Sequence, residues 1–238
     1  MDKEKQHTIF SQPVFRHVGE RGLLVEFSAE IDLETNQKIH AFCRLLEDDL
    51  PEGIVEIIPS YRSLVLVYEP LVVDMPKLQE KLVILYGDVE SAIDLNAEIV
   101  EIPVCYGGEF GEDLEYVATH NGLSVDQVIS IHSGTLYPVY MIGFTPGFPY
   151  LGGLSEKLHT PRLATPRTLV PAGSVGIANN QTGIYPIDSP GGWQLIGRCP
   201  YKLFDPLRSN PFLVKAGDQL RFIPVSRQDF FALQTETT

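Results

Sequence analysis

Apolar-rich runs cover residues 14–18 and 23–27, with Gly19-Glu20-Arg21-Gly22 between them. The chain therefore opens on two strands joined by a hairpin connection. From Asp32 the period changes. Leu33, Ile39, Phe42, Leu45 and Leu46 return at helical spacing on one face, Asp32 stands where an N-cap belongs, and Pro51-Glu52-Gly53 stops the helix. The same order then recurs. Apolar strands over 54–58 and 64–68 flank Pro59-Ser60-Tyr61, and Asp74 caps a helix that turns Leu78, Leu82 and Leu85 inward and ends at Gly87. Residues 1–90 thus read ββαββα, a two-layer α/β domain with its helices on one face of an antiparallel sheet.

The stretch 88–96 reads as a linker, and residues 91–238 as a second domain. A strand covers 98–105. Gly111-Glu112-Asp113 opens a helix that reaches about His120, and Ser124 caps another with Val125, Val128 and Ile129 inward. Beyond Leu136 short apolar runs at 137–142, 175–177, 193–196 and 219–223 alternate with Gly/Pro turns, which predicts a barrel or a sandwich. Residues 234–238 read as a frayed polar tail. The fold class is α+β.

Charge narrows the partners. The net charge is −13, and phosphate backbones would repel such a chain, so nucleic acid is excluded. Residues 1–134 hold 25 acids and 9 Lys/Arg, a net of −16, whereas residues 135–238 hold 6 and 9, a net of +3. The second half is the one suited to a small anion or an acidic partner. Three scattered cysteines, Cys43, Cys105 and Cys199, fit neither a disulfide framework nor a zinc site. With no apolar signal core and no apolar run long enough for a membrane span, a soluble cytoplasmic protein is expected.

The chemistry concentrates between Gly143 and Pro200. This segment holds 18 of the 38 Gly and Pro residues and carries only Glu156, Lys157, Arg162, Arg167, Asp188 and Arg198 as charges. So dense a mixture defeats helix and long strand alike, leaving loops on a scaffold. Three arginines in nearly uncharged surroundings point to an anion pocket. Thr160-Pro161-Arg162 and Thr165-Pro166-Arg167 form a short echo. Their two guanidinium forks either grip one carboxylate or phosphate or tie loops together through carbonyls and nearby acids. Trp193 is the only tryptophan, and is either a flat wall with one N–H donor or simply core. Phe144 sits among rigid turns that line a pocket or plug a barrel end. Gln181, Tyr185 and Asp188 supply donors and acceptors nearby in sequence. His132, at a predicted helix end, is a capping residue or a proton-transfer group. The phosphate-loop, dinucleotide, zinc-protease and nucleophile-elbow motifs are missing, and the six histidines have no metal-ligand spacing, so no metal site is expected.

The runs GFTPGFPYLGGL, TPRLATPRTLVPAGSVGIA and QTGIYPIDSPGGWQLIGR, with IPVCYGG and IHSGTLYPVYMIGF upstream, resemble the KipI/PxpB family. That family includes the B subunit of bacterial ATP-dependent 5-oxoprolinase and the sporulation-kinase inhibitor KipI, and its members are also described as allophanate hydrolase subunit 1. The resemblance extends over almost the whole chain. Cys199 and Asn179-Asn180 depart from the family's usual threonine and glycine. The resemblance implies an N-terminal α/β domain followed by a cyclophilin-like β-barrel, and cleavage of 5-oxo-L-proline to L-glutamate driven by ATP. It also implies PxpC-like and PxpA-like partner subunits, without which the chain is inactive. Under that reading Arg162 and Arg167 hold a carboxylate or phosphoryl group, with Asp188 and Gln181 on the ring amide. Trp193 or Phe144 covers the ring, and Tyr185, Arg198 and His132 complete the substrate site. A second reading, from the same family, is a protein inhibitor of histidine-kinase autophosphorylation. A third, prolyl isomerase activity, rests on the barrel analogy alone.

Overall fold

The computed structural model describes residues 9–93 and 98–236. The chain forms two units, Met1–Asn96 and Ala97–Thr238. In the first, the order is β1 (Ile9–Val18), β2 (Gly22–Ser28), α1 (Leu33–Asp48), β3 (Ile54–Pro59), β4 (Ser63–Tyr68) and α2 (Met75–Asp88). The four strands form one antiparallel sheet in the order β1-β2-β4-β3. Both helices start where the sequence places a cap: the Asp32 carboxylate accepts from Thr35 N at 2.8 Å and that of Asp74 from Lys77 N at 3.3 Å. Leu23, Val25 and Phe27 of β2 alternate inward against Ile39, Phe42 and Leu46 of α1 and Leu78 and Leu82 of α2. Each such side chain contributes about 1.5–3 kcal/mol by leaving water. The expected linker starts otherwise. Val89–Ala92 is a turn of 3-10 helix with Val89 buried in the same core, and residues 94–97 lie outside those described.

The second unit begins with β5 (Ile99–Tyr106), α3 (Leu114–His120), α4 (Val125–Ser133) and β6 (Leu136–Ile142). Short strands follow: β7 (Pro149–Leu151), β8 (Arg167–Val170), β9 (Ser174–Ala178), β10 (Gln181–Ile184), β11 (Ser189–Gly191) and β12 (Gln194–Arg198). It ends with β13 (Gln219–Pro224) and α5 (Arg227–Glu236). Seven strands form one sheet in the order β10-β9-β12-β5-β13-β6-β7, and β8 pairs with β11 as a separate ribbon. The outer strands β10 and β7 meet, so the sheet curls into a nearly closed barrel. Gly183 permits this approach, since a Cβ there would lie 3.4 Å from the Pro149 carbonyl oxygen and 3.2 Å from the Trp193 ring. The α+β class and the barrel are thus as the sequence predicts. The parallel pairing of β5 with β13 and the strands β7, β8, β10 and β11 were not read from it.

The polar tail expected at 234–238 needs correcting. α5 continues through Glu236, and residues 237–238 lie outside those described. Ser226 accepts from Asp229 N at 3.2 Å at its start, and Phe230, 2% exposed, packs on Phe110 with ring centroids 4.5 Å apart. One anchored ring on a polar helix leaves little periodicity to read.

His132 of α4 lies inside the barrel core, 0% exposed, with its ring 4.4 Å from that of Phe222. The Thr182 hydroxyl donates to the Gly176 carbonyl at 3.0 Å, so its oxygen accepts from His132 Nε2–H at 2.9 Å. His132 Nδ1 then accepts from the Tyr106 hydroxyl at 2.8 Å. Both ring nitrogens are satisfied in the neutral form. Burial drives the imidazole pKa from its ordinary 6.5 down to about 3. Because the folded value lies below the unfolded one, this residue's contribution to stability is complete above pH 6.5 and fades as pH falls towards 3. Between pH 7.5 and 4.5, wild type is expected to lose about 3 kcal/mol more stability than His132→Gln. Urea unfolding of both proteins at the two pH values measures this, and equal losses would show that the histidine is not held neutral.

Candidate functional site

The loops of the Gly/Pro-rich segment hang from the entry to β12. Leu163 N donates to the Gly192 carbonyl at 2.8 Å, and Gln194 Nε2 to the Pro161 carbonyl at 2.9 Å. These two bonds fix the loop carrying Arg162. Arg167 Nη1 donates to the Trp193 carbonyl at 3.2 Å, and its Nη2 to both oxygens of Asp113 at 2.9 and 2.8 Å. The Arg167 Nε pairs with Glu112 at 2.8 Å. Asp113 also accepts from Leu195 N at 2.6 Å, while its own N–H donates to the Leu195 carbonyl at 2.9 Å. One carboxylate, 14% exposed, therefore joins the start of α3, the β12 backbone and Arg167. Gly111 permits the close approach, because a Cβ there would lie 2.2 Å from the Ile196 carbonyl group.

Above this anchor lies a cavity of about 300 Å³, at the small end of the range for ligand sites. Its walls are aromatic and are organised around Phe148. The Phe148 ring meets those of Phe144, Tyr150, Tyr185 and Trp193 edge-on, with centroids 5.7, 5.2, 5.8 and 5.7 Å away. Arg162, Leu163, Pro166, Gln181 and the Pro190-Gly191-Gly192 turn complete the lining. Arg162 is exposed and has no carboxylate or hydrogen-bonding partner among the described residues. Burial raises the Tyr185 pKa, only partly offset by the Trp193 backbone and the field of Arg162 and Arg167. The phenol is accordingly a neutral donor at pH 7. An unpaired guanidinium beside apolar rings can take a single carboxylate whose uncharged body packs against the rings.

The structure brings Arg162, Phe144, Gln181, Tyr185 and Trp193 together around this cavity. Four other candidates lie elsewhere. The Arg167 fork faces Asp113 and Glu112, so the two echoing arginines do not converge on one anion. Asp188 is exposed and accepts from Ala172 N at 2.7 Å. The Arg198 guanidinium lies 5.7 Å from the Phe110 ring centroid. His132 is enclosed in the barrel core. Asp113 was missed altogether, because its partners stand 54 and 82 residues away in sequence. The three cysteines are free and buried, and burial lifts Cys43 and Cys199 to about 12, which leaves those two thiols protonated and inert. Among the described residues no group of three His, Cys, Asp or Glu could hold a metal ion. No helix there is long and apolar enough to cross a membrane.

Fold and cavity together define a two-unit α+β protein whose barrel carries, on its loops, a small aromatic cavity with Arg162 in its lining. Residues 13–214 match the family described as Carboxyltransferase domain, subdomain C and D, and the chain belongs to that family. It is 43% identical to the 5-oxoprolinase B subunit of Bacillus subtilis (strain 168) over 92% of this chain and 96% of the relative. With the 5-oxoprolinase B subunit of Escherichia coli O157:H7 the identity is 44%, over 87% and 94%. The crystal structure of TTHA0988 superposes with a TM-score of 0.75 at 39% identity. The match covers 87% of this chain but only 40% of that longer one. These relatives bear out the KipI/PxpB resemblance.

Asp113→Ala is expected to destabilise the fold by about 2–3 kcal/mol, the range for losing hydrogen bonds to a charged group. It should also alter the emission of Trp193, whose carbonyl Arg167 would no longer hold in place. Urea unfolding followed by tryptophan fluorescence reads both, and a wild-type midpoint with unchanged emission would deny Asp113 its anchoring role.

Proposed function

We propose that this chain is the B subunit of a 5-oxoprolinase and binds 5-oxo-L-proline in the cavity around Phe148. The observation that carries the reading is Arg162, an uncompensated cation at the edge of an aromatic hollow. The substrate has matching chemistry: one carboxylate on a small, flat, uncharged lactam. Arg162 would hold the carboxylate, Trp193 would face the ring, and Gln181 and Tyr185 would orient the lactam amide. Arg167 and Asp113 would act behind them by fixing the β12 entry. Asp188, His132 and Arg198 have no part in binding under this reading. The names of the two bacterial relatives support the substrate assignment.

A lactam is a resonance-stabilised amide, so opening it to L-glutamate is coupled to ATP in the proposed complex. The cavity does not fit ATP: a triphosphate would meet Arg162 as its one unpaired cation, in a space suited to a small ring. ATP is therefore assigned to the complex through PxpC-like and PxpA-like subunits, and the chain alone is expected to be inactive. TTHA0988, in which a region like this chain is part of a longer polypeptide, supports a permanent protein neighbour. A cytoplasmic location belongs to the same reading, in keeping with three free, buried thiols.

The test is glutamate formation from 5-oxoproline and ATP by the chain mixed with its partner subunits. Omitting the chain should abolish turnover. Arg162→Ala should lower kcat/KM by about 10–100-fold, equivalent to one charge-assisted contact, while Lys215→Ala, on the surface, should leave it unchanged. Turnover that persists without the chain would refute the subunit assignment, and an Arg162→Ala with wild-type kcat/KM would refute the carboxylate site.

A further inference from the structure

Phe144 has the wrong backbone for its residue type. Its φ is +62°, a region that side chains other than Gly, Asn and Asp rarely adopt. Thr145 N donates to the Gly143 carbonyl at 2.7 Å, which closes a three-residue turn with Phe144 at its centre. This is the γ-turn with positive central φ, the strained form of that turn. Glycine would relieve the strain.

Nothing in the fold compensates the phenylalanine for it. The ring is 71% exposed and touches the aromatic cluster only edge-on, through Phe148. The turn is also tied to its surroundings. Gly143 N donates to the Phe148 carbonyl and Phe148 N to the Thr145 carbonyl, both at 3.0 Å. At Gly147 the loop lies so close to Phe204 that a Cβ there would approach the Phe204 Cβ to 2.8 Å. A strained, exposed residue in a hydrogen-bonded loop lining a cavity points to a role in what that cavity binds.

We propose that Phe144 is the specificity-determining residue of this site, selecting a flat ring with one carboxylate over an open-chain amino dicarboxylate. This rests on the reading that the cavity takes 5-oxoproline. A planar lactam held through its carboxylate by Arg162 offers a face to the Phe144 ring. L-Glutamate, the ring-opened form, brings a second carboxylate and an ammonium group. Against the face of Phe144 both would lose part of their hydration with Arg162 as the one unpaired charge in the lining, an unfavourable transfer. The same ring that retains the substrate would thus expel the product.

Trp193, the only tryptophan, lines the cavity, so its emission follows binding to the full chain. Titrations with 5-oxo-L-proline, L-glutamate and other cyclic carboxylates, on wild type, Phe144→Gly and Arg162→Ala, form the test. Wild type should prefer 5-oxoproline to glutamate by at least about tenfold. Phe144→Gly should bind 5-oxoproline about tenfold more weakly, lose the preference, and melt at the same temperature or higher. Arg162→Ala should bind both about 10–100-fold more weakly than wild type. An unchanged preference in Phe144→Gly would overturn the proposal alone, and so would a lower melting temperature, since the ring would then be packing. Wild type that ignores 5-oxoproline but binds another cyclic carboxylate in a Phe144-dependent way would uphold the selector and refute the substrate. Wild type that binds no cyclic carboxylate would overturn both.

Discussion

The Asp113 carboxylate is the contact on which the site depends. It accepts two bonds from Arg167 and one from Leu195 N, so it joins a helix start, a barrel strand and a loop that are distant in sequence. Arg167 carries the connection on to the Trp193 carbonyl, and Trp193 forms a wall of the cavity. Gln194 and Gly192, on either side of Trp193, hold the Arg162 loop. Every cavity group on this side is therefore referenced to the β12 entry. A partly buried ion pair adds little net stability by itself, since desolvation offsets much of its attraction. Here its worth is geometric: the planar guanidinium is held at Nη2 by Asp113, at Nε by Glu112 and at Nη1 by the Trp193 carbonyl, which fixes its orientation as well as its distance.

The opposite wall has another origin. Phe148 is 3% exposed and contacts four aromatic rings edge-on, the favoured arrangement for ring quadrupoles. Such a cluster is held chiefly by ring packing, with the Tyr185 hydroxyl also bonded to the Trp193 backbone, and it leaves few groups able to solvate a charge. The two walls divide the work. Polar bonds behind β12 fix where Arg162 stands, and the aromatic cluster keeps its surroundings apolar, which strengthens its attraction for an anion.

Local signals were the legible ones. Asp32, Asp74 and Ser124 cap helices because capping is settled within three residues of sequence. The period of Ile39, Phe42 and Leu46 likewise gives the buried face of α1 without reference to any other segment. The Gly/Pro segment announced loops, and its rarity of charge announced the pocket with Arg162 and Trp193 on it. What failed was pairing at a distance. Arg162 and Arg167 carry the same local motif, yet an acid from residue 113 neutralises one and leaves the other open, and no spacing within the segment distinguishes them. His132 misled for a related reason. A histidine near a helix end reads as polar and accessible until Tyr106 and Thr182 are found to enclose it. The three-residue strands β7 and β11 lie below the length at which alternation can be recognised.

The contrast between those two arginines also bears on the assembly that the proposed function invokes. Arg167, paired with Glu112 and Asp113, is electrostatically finished within this chain. Arg162 is not, and both it and Phe144 in the lining of the cavity are exposed to solvent. A charge in contact with bulk water interacts weakly with an anion, and exclusion of water strengthens the same contact several-fold. The cavity can therefore recognise a carboxylate unaided, whereas a water-excluded environment for opening an amide requires a cover over its mouth. Under the proposed function a partner subunit supplies that cover together with the nucleotide, so that strong electrostatics and the energy source arrive at the ring in the same event.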